Sequence, residues 1–181
     1  FFPEAVERLR AVPGVETAAI TYSLPILGSN WWAWFTVAGR PIPPGAVMMD
    51  LPSAGMVPVS DGYFETLKVP VIKGRSFNRF DTADSEPVAI INSSLVQLYF
   101  RDEDPIGKQM EVEAAPGSQS TLLTVVGVAD DVVDGPLGSQ PVIHVYVPYT
   151  NAPDSLLTSR VIDQGRRMAI GIRAEQDAMS L

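Results

Sequence analysis

The 181-residue chain contains no cysteine and a single histidine, His144. Without thiols it cannot build disulfides, thiolate zinc sites, iron–sulfur clusters or a cysteine nucleophile, and one imidazole cannot supply a multi-histidine metal cluster. Positive charge is also scarce. Lys and Arg number 13 against 21 Asp and Glu, giving a formal net charge of −8 at pH 7 and a sequence pI near 4.5. Such a surface repels phosphate backbones and anionic leaflets, and no Lys/Arg block interrupts it, so nucleic acid is not expected as a partner. Long apolar runs are missing too. The longest candidate, Leu122 to Ala129, falls far short of the roughly 18 to 20 apolar residues that span a bilayer. The chain opens Phe1-Phe2-Pro3-Glu4, with no basic segment leading into an apolar one, and reads as an excised piece, so that any membrane segments lie outside it.

What is present is apolar material: 46% of residues are hydrophobic, which disfavours disorder. Surface scaling allows about 70% of the extended chain's surface to be buried, enough for one domain or two small lobes. Ala5, Val6, Leu9 and Val12 follow the spacing of one helical face, with Pro13-Gly14 as a stop. Val15 to Tyr22 alternates like a strand, and Leu24 to Ser29 reads as a connection. Short strands are expected at Phe35 to Ala38 and Met56 to Val59, with Pro58 pointing to an edge. Ser60 is expected to cap a helix carrying Tyr63, Phe64 and Leu67, after which Val69 to Ile72 returns to extended structure.

Val88 to Ile91 reads as a buried strand, followed by a helix capped by Asn92 with an apolar face at Leu95, Val96, Leu98, Tyr99 and Phe100. Strands at Met110 to Val112, Leu122 to Ala129, Val142 to Val147 and Met168 to Ile172 complete the pattern. Leu122 to Ala129 is apolar on both faces and so expected to be central, and Asn151 to Gly165 reads as a loop. The fold class is a strand-rich α+β.

Catalytic constellations are weak. Gly107-Lys108 lacks the earlier glycine and following hydroxyl of a phosphate loop, Asp102 and Gln109 standing there instead. Asp102-Glu103-Asp104 precedes Pro105 and fits a solvated turn better than an acid/base pair. Asp130, Asp131 and Asp134 lack the alternate-residue ligand spacing and closing Glu of a calcium loop. His144 shares a strand face with Val142 and Tyr146 and reads as a sheet histidine, and no Gly-x-Ser-x-Gly occurs. No catalytic residue, metal ligand or cofactor site is expected. Trp31, Trp32 and Trp34, all the tryptophans of the chain, cluster beside Gly28, Ser29 and Asn30. They are the candidate contact for a partner or substrate; the competing reading makes them core. Strand alternation puts Trp32 and Trp34 on one face and Trp31 on the other.

The run Val59-Ser60-Asp61-Gly62-Tyr63-Phe64-Glu65-Thr66-Leu67 resembles the signature of the MacB-like periplasmic core domain, found in permease subunits of ABC transporters of the MacB, LolC and FtsX type. The resemblance continues through Gly74-Arg75-Ser76-Phe77, Pro87 to Asn92, Asp104 to Lys108, Val125 to Val128 and Val145 to Tyr149, covering about residues 1 to 175. Lys68 departs from it, standing where a glycine is common.

The resemblance implies a two-lobed periplasmic core domain. A porter-like α/β lobe would comprise roughly 1–58 plus 160–181, with an inserted smaller strand-rich α/β lobe at roughly 59–159. It also implies a place on the periplasmic or extracellular side of the bacterial inner membrane, and a non-enzymatic role transmitting motion driven by cytoplasmic ATP hydrolysis. Implied partners are a second permease protomer, a cytoplasmic ATPase subunit, and a periplasmic adaptor or lipophilic substrate. Two other readings compete: a periplasmic ligand-binding or sensor domain using the Trp-rich segment, and a hydrolase using unrecognised carboxylates.

Overall fold

The computed structural model describes residues 2–21, 32–40, 44–113, 118–132, 142–150 and 169–174. Chain order is α1 (Phe2–Arg10), β1 (Val15–Thr21), β2 (Trp32–Val37), β3 (Ser53–Val59), α2 (Tyr63–Leu67), β4 (Val71–Gly74) and β5 (Val88–Asn92). There follow α3 (Ser93–Tyr99), β6 (Gln109–Glu113), β7 (Thr121–Ala129), β8 (His144–Pro148) and β9 (Ala169–Ala174). The expected α+β class holds, rich in strands and poor in helix. The expected connections at Leu24 to Ser29 and Asn151 to Gly165 lie outside the described residues.

Six of the strands pair in a closed ring. β2 pairs antiparallel with β6 and β6 with β7; β7 runs parallel to β5; β5 pairs antiparallel with β8; β8 runs parallel to β3, which returns antiparallel to β2. Closure gives every ring strand a neighbour on both sides and encloses one side chain in two from each strand. Phe35 and Val37 of β2, Met56 of β3, Ile91 of β5, Met110 and Val112 of β6, Leu123 and Val125 of β7, and Val145 and Val147 of β8 fill the interior. Leu95 and Phe100, from α3 and its end, pack into the same core.

β3 and β7 each change partner midway. β3 pairs with β2 through Ser53 to Gly55 and meets β1 at Val59, opposite Thr21. β7 pairs with β6 over Thr121 to Thr124 and with β4 over Gly127 to Ala129. Leu122 to Ala129 is therefore central, as its two apolar faces suggest. Pro58 lies in a strand with neighbours on both sides. Its missing N–H is tolerated because Gly55 N–H donates to Ile143 O toward β8, so by alternation the Pro58 nitrogen faces the changeover from β2 to β1.

Outside the ring, α2 seats Tyr63 and Phe64 on the outer side of β3, β5 and β8, against Val57, Val59, Ile90 and Tyr146. Phe64 meets Tyr146 edge-on at 5.1 Å. β9 pairs with β1, and α1 covers that pair with Val6 and Leu9 against Ala18, Ile20 and Ile170. Val12, expected on the apolar face, lies past the helix end and is exposed.

Gly127 permits the β7 crossing: a Cβ there would collide with Arg75 O, and one at Gly74, whose φ is +72°, would collide with Val126 O. Gly107, at φ +79°, turns the chain into β6.

Candidate functional site

β2 is built from the tryptophan segment, and its alternation divides the side chains cleanly. Ala33, Phe35 and Val37 point into the ring, where Phe35 meets Tyr99 edge-on at 5.1 Å. Trp32, Trp34 and Thr36 take the other face, on which Trp32 remains 43% exposed and Trp34 is half-buried. Trp31 lies outside the described residues.

The cross-strand neighbours define the rest of that surface. Trp34 stands opposite Glu113 of β6 and Ser53 of β3; Thr36 stands opposite Glu111; Glu111 in turn stands opposite Leu122 of β7, which is 47% exposed. Glu111 accepts a 2.6 Å hydrogen bond from Ser120 Oγ. The outer face thus combines indole rings, an exposed leucine and two carboxylates. Glu111, Glu113 and Leu122 were not singled out from the sequence. The signal was there in Gln109-Met110-Glu111-Val112-Glu113, whose period of two places both glutamates opposite the core residues.

Of the run Asp102-Glu103-Asp104, the last two carboxylates are held by cations and a backbone donor. Glu103 pairs with Lys108 at 3.0 Å and Arg40 at 3.3 Å, and Lys108, followed by Arg40, holds its carboxyl below the ordinary range. Asp104 accepts from Ile106 N–H at 2.9 Å and pairs with Lys73 at 3.0 Å; both lower its pKa, the backbone donor most. These bonds shape the turn before β6. Neither group is poised to accept a proton near neutrality.

Asp131 joins a buried polar node. Its Oδ1 accepts from Asn92 Nδ2 at 2.6 Å and Ser94 N–H at 3.0 Å, and its Oδ2 from Ser94 Oγ at 2.7 Å. Asn92, fully buried, also donates to Val142 O at 2.8 Å. Asn92 Oδ1 accepts from Leu95 N–H, the expected helix cap, and from His144 N–H at 2.9 Å. His144 is buried in β8, its ring 5.9 Å from that of Tyr146 and lying over Gly55, where a Cβ would come within 2.8 Å of His144 Cδ2. Asp134 lies outside the described residues. Among the described residues no group of three His, Cys, Asp or Glu is placed to hold a metal ion.

Ser60 does not cap α2. Gly62, at φ +77°, takes the N-cap position without a side-chain bond, while Ser60 Oγ accepts from Ile20 N–H and donates to Asp61 O, both at 2.9 Å. With Ser60 N–H donating to Ile20 O, the residue clasps the end of β3 to β1. The hydroxyl is committed to a tertiary bond and is unavailable to the helix start.

A buried carboxylate organises the loop after β4. Asp81 forms a bidentate pair with Arg75, both bonds 2.8 Å, and accepts from Asn78 N–H at 2.9 Å. Burial opposes its ionisation, but the Arg75 guanidinium and the Asn78 N–H outweigh it and hold the pKa below the usual carboxylate value.

The family model of the MacB-like periplasmic core domain matches residues 2–179. The chain is 33% identical over 81 residues to the macrolide export ATP-binding/permease protein MacB of Marinobacter nauticus, covering 45% of this chain and 12% of that protein. Its counterpart in Hahella chejuensis is 31% identical over 100 residues, covering 55% and 14%. The chain therefore spans only about an eighth to a seventh of these curated relatives. The fold resembles the periplasmic region of MacB from Actinobacillus actinomycetemcomitans, with a TM-score of 0.62 and 16% identity over 98% of this chain and 67% of that one. It also resembles the extracellular domain of the noncanonic ABC-type transporter YknZ from Gram-positive bacteria, with a TM-score of 0.55 and 19% identity over 96% and 72%.

Proposed function

The chain belongs to the family of MacB-like periplasmic core domains, and on that premise we propose that it is the extracytoplasmic domain of an ABC transporter permease of the bacterial inner membrane. In this reading it carries no catalysis of its own; ATP is hydrolysed on another subunit or another part of the polypeptide. The domain transmits the resulting motion to a substrate or adaptor outside. The family match over residues 2–179 carries the proposal. The relatives are ATP-binding/permease proteins by name, which supports placing the nucleotide elsewhere, since the matched segment is a small part of each. No helix among the described residues is long and apolar enough to cross a membrane.

A lever needs two rigid parts and a compliant seam. The closed ring supplies one part; α1, β1 and β9 supply the other. They meet through the Thr21–Val59 register pair, the Ser60 clasp and the contacts of α2. We take this layer as the pairing-supported portion of the first lobe (roughly 1–58 plus 160–181) and most of the ring as the inserted lobe (roughly 59–159). β2 and β3, which precede position 59, pair within the ring. Trp31, Trp32 and Trp34 are the proposed contact for an adaptor or lipophilic substrate.

The chain has no native cysteine, so labels on Glu16→Cys in β1 and Leu98→Cys in α3, placed in the membrane-embedded permease with any cysteine elsewhere in it replaced, report the lever directly. An ATP-dependent change in their distance distribution is expected. An unchanged distribution while ATP is being hydrolysed would remove the mechanical role. A ligand-binding domain would instead show tryptophan quenching by a small apolar molecule without nucleotide.

A further inference from the structure

We propose that the outer face of β2, β6 and β7 docks a cationic, amphipathic segment of another protein, with Trp32 and Trp34 as aromatic anchors and Glu111 and Glu113 as the charged partners. The inference rests on the reading of the tryptophan segment as a contact and adds the chemistry of what it contacts. Trp34 stands opposite Glu113, and Glu111 stands between Thr36 and the exposed Leu122. The three strands contain no Lys or Arg. The cations nearest along the chain, Arg40 after β2 and Lys108 before β6, are both engaged by Glu103. The face sets carboxylates beside indole π-surface, the combination that attracts a guanidinium or ammonium on an apolar stem.

The backs of these strands are fixed by Phe35, Val37, Met110 and Val112 in the closed core, so the face is preorganised and costs little ordering on binding. The same carboxylates argue against other occupants. An anionic leaflet would be repelled, and a second copy across a two-fold axis would set Glu against Glu.

The test titrates the 181-residue chain with a synthetic peptide of alternating Leu and Lys, following tryptophan emission and heat. Micromolar binding that weakens with added NaCl is expected. Trp32→Ser with Trp34→Ser should weaken it by about 30-fold or more, the loss typical of paired aromatic anchors. Glu111→Gln with Glu113→Gln, which preserves shape, should weaken it by about three- to ten-fold, and this pair keeps the proposal testable should the tryptophan variant fail to fold. Glu65→Gln with Asp84→Asn removes the same charge elsewhere and should leave binding unchanged.

An equal loss in that control, or equal binding of a Leu–Glu peptide, would overturn the proposal. So would binding to phosphatidylcholine vesicles in place of the peptide, or a dimer that the tryptophan substitutions dissolve. Transport by the full-length permease separates this inference from the contact reading. Transport lost in the tryptophan variant with peptide binding indifferent to Glu111→Gln/Glu113→Gln would overturn the cationic partner alone and leave the contact standing. Charge-dependent binding with transport intact would support the docking face and sink its role in transport.

Discussion

Lys68 is the one non-glycine residue with positive φ among the described residues, at +54°, and its N–H closes α2 onto Glu65 O. A Cβ in the left-handed region is strained, and glycine relieves that strain at some cost in unfolded-state entropy. Lys68→Gly is accordingly expected to raise the urea midpoint, by up to about 1 kcal/mol of stability; a lower midpoint would deny the strain. Asp81 sets a pH dependence. Its folded pKa lies below the unfolded value of about 3.9. Its stabilisation is therefore present above that value and lost as pH falls through the folded pKa. Asp81→Asn should be less stable than the parent at pH 7, with the gap closing in acid denaturation below about pH 4. A constant gap would mean that the Arg75 pair acts through shape and not charge.

At the scale of elements, Asn92 ties α3, β8 and the strand-end Asp131 together through one amide. Removing it loses a helix cap and strands buried donors and acceptors, so Asn92→Ala should cost about 2–4 kcal/mol in chemical denaturation. Asn92→Asp should fail to rescue, since it exchanges a donor toward Asp131 for a second negative charge. Asn92 was legible in the sequence because capping is a local pattern: an Asx residue immediately before an apolar helical face. Ser60 was equally plausible by that pattern and did something else. Its bond partner, Ile20, is 40 positions away, and no local rule weighs such an alternative. For the tryptophans, alternation correctly separates Trp32 and Trp34 from the core positions, yet it cannot say that Glu113 would stand beside Trp34, 79 residues later in the chain.

For the whole molecule, the ring and the α1–β1–β9 layer should differ in local stability. β9 pairs only with β1 among the described residues, and β1 reaches the ring through one register pair. Amide hydrogen exchange should be slowest in β5, β7 and β8 and faster in α1, β1 and β9, by at least about tenfold, or roughly 1.4 kcal/mol. Uniform protection would make the molecule one cooperative unit and leave no compliant seam for the proposed lever.

The order and type of the elements, their buried faces and the absence of thiol or multi-histidine chemistry are properties of the sequence by itself, because periodicity and composition are local. The closure of six strands into a ring, the midway exchange of partners by β3 and β7, the clasp made by Ser60 and the meeting of tryptophans with glutamates were decided by the tertiary structure. Hydrophobic alternation says which side of a strand is buried. Which strand lies beside it depends on pairing between distant segments, and that is settled only when the whole core closes.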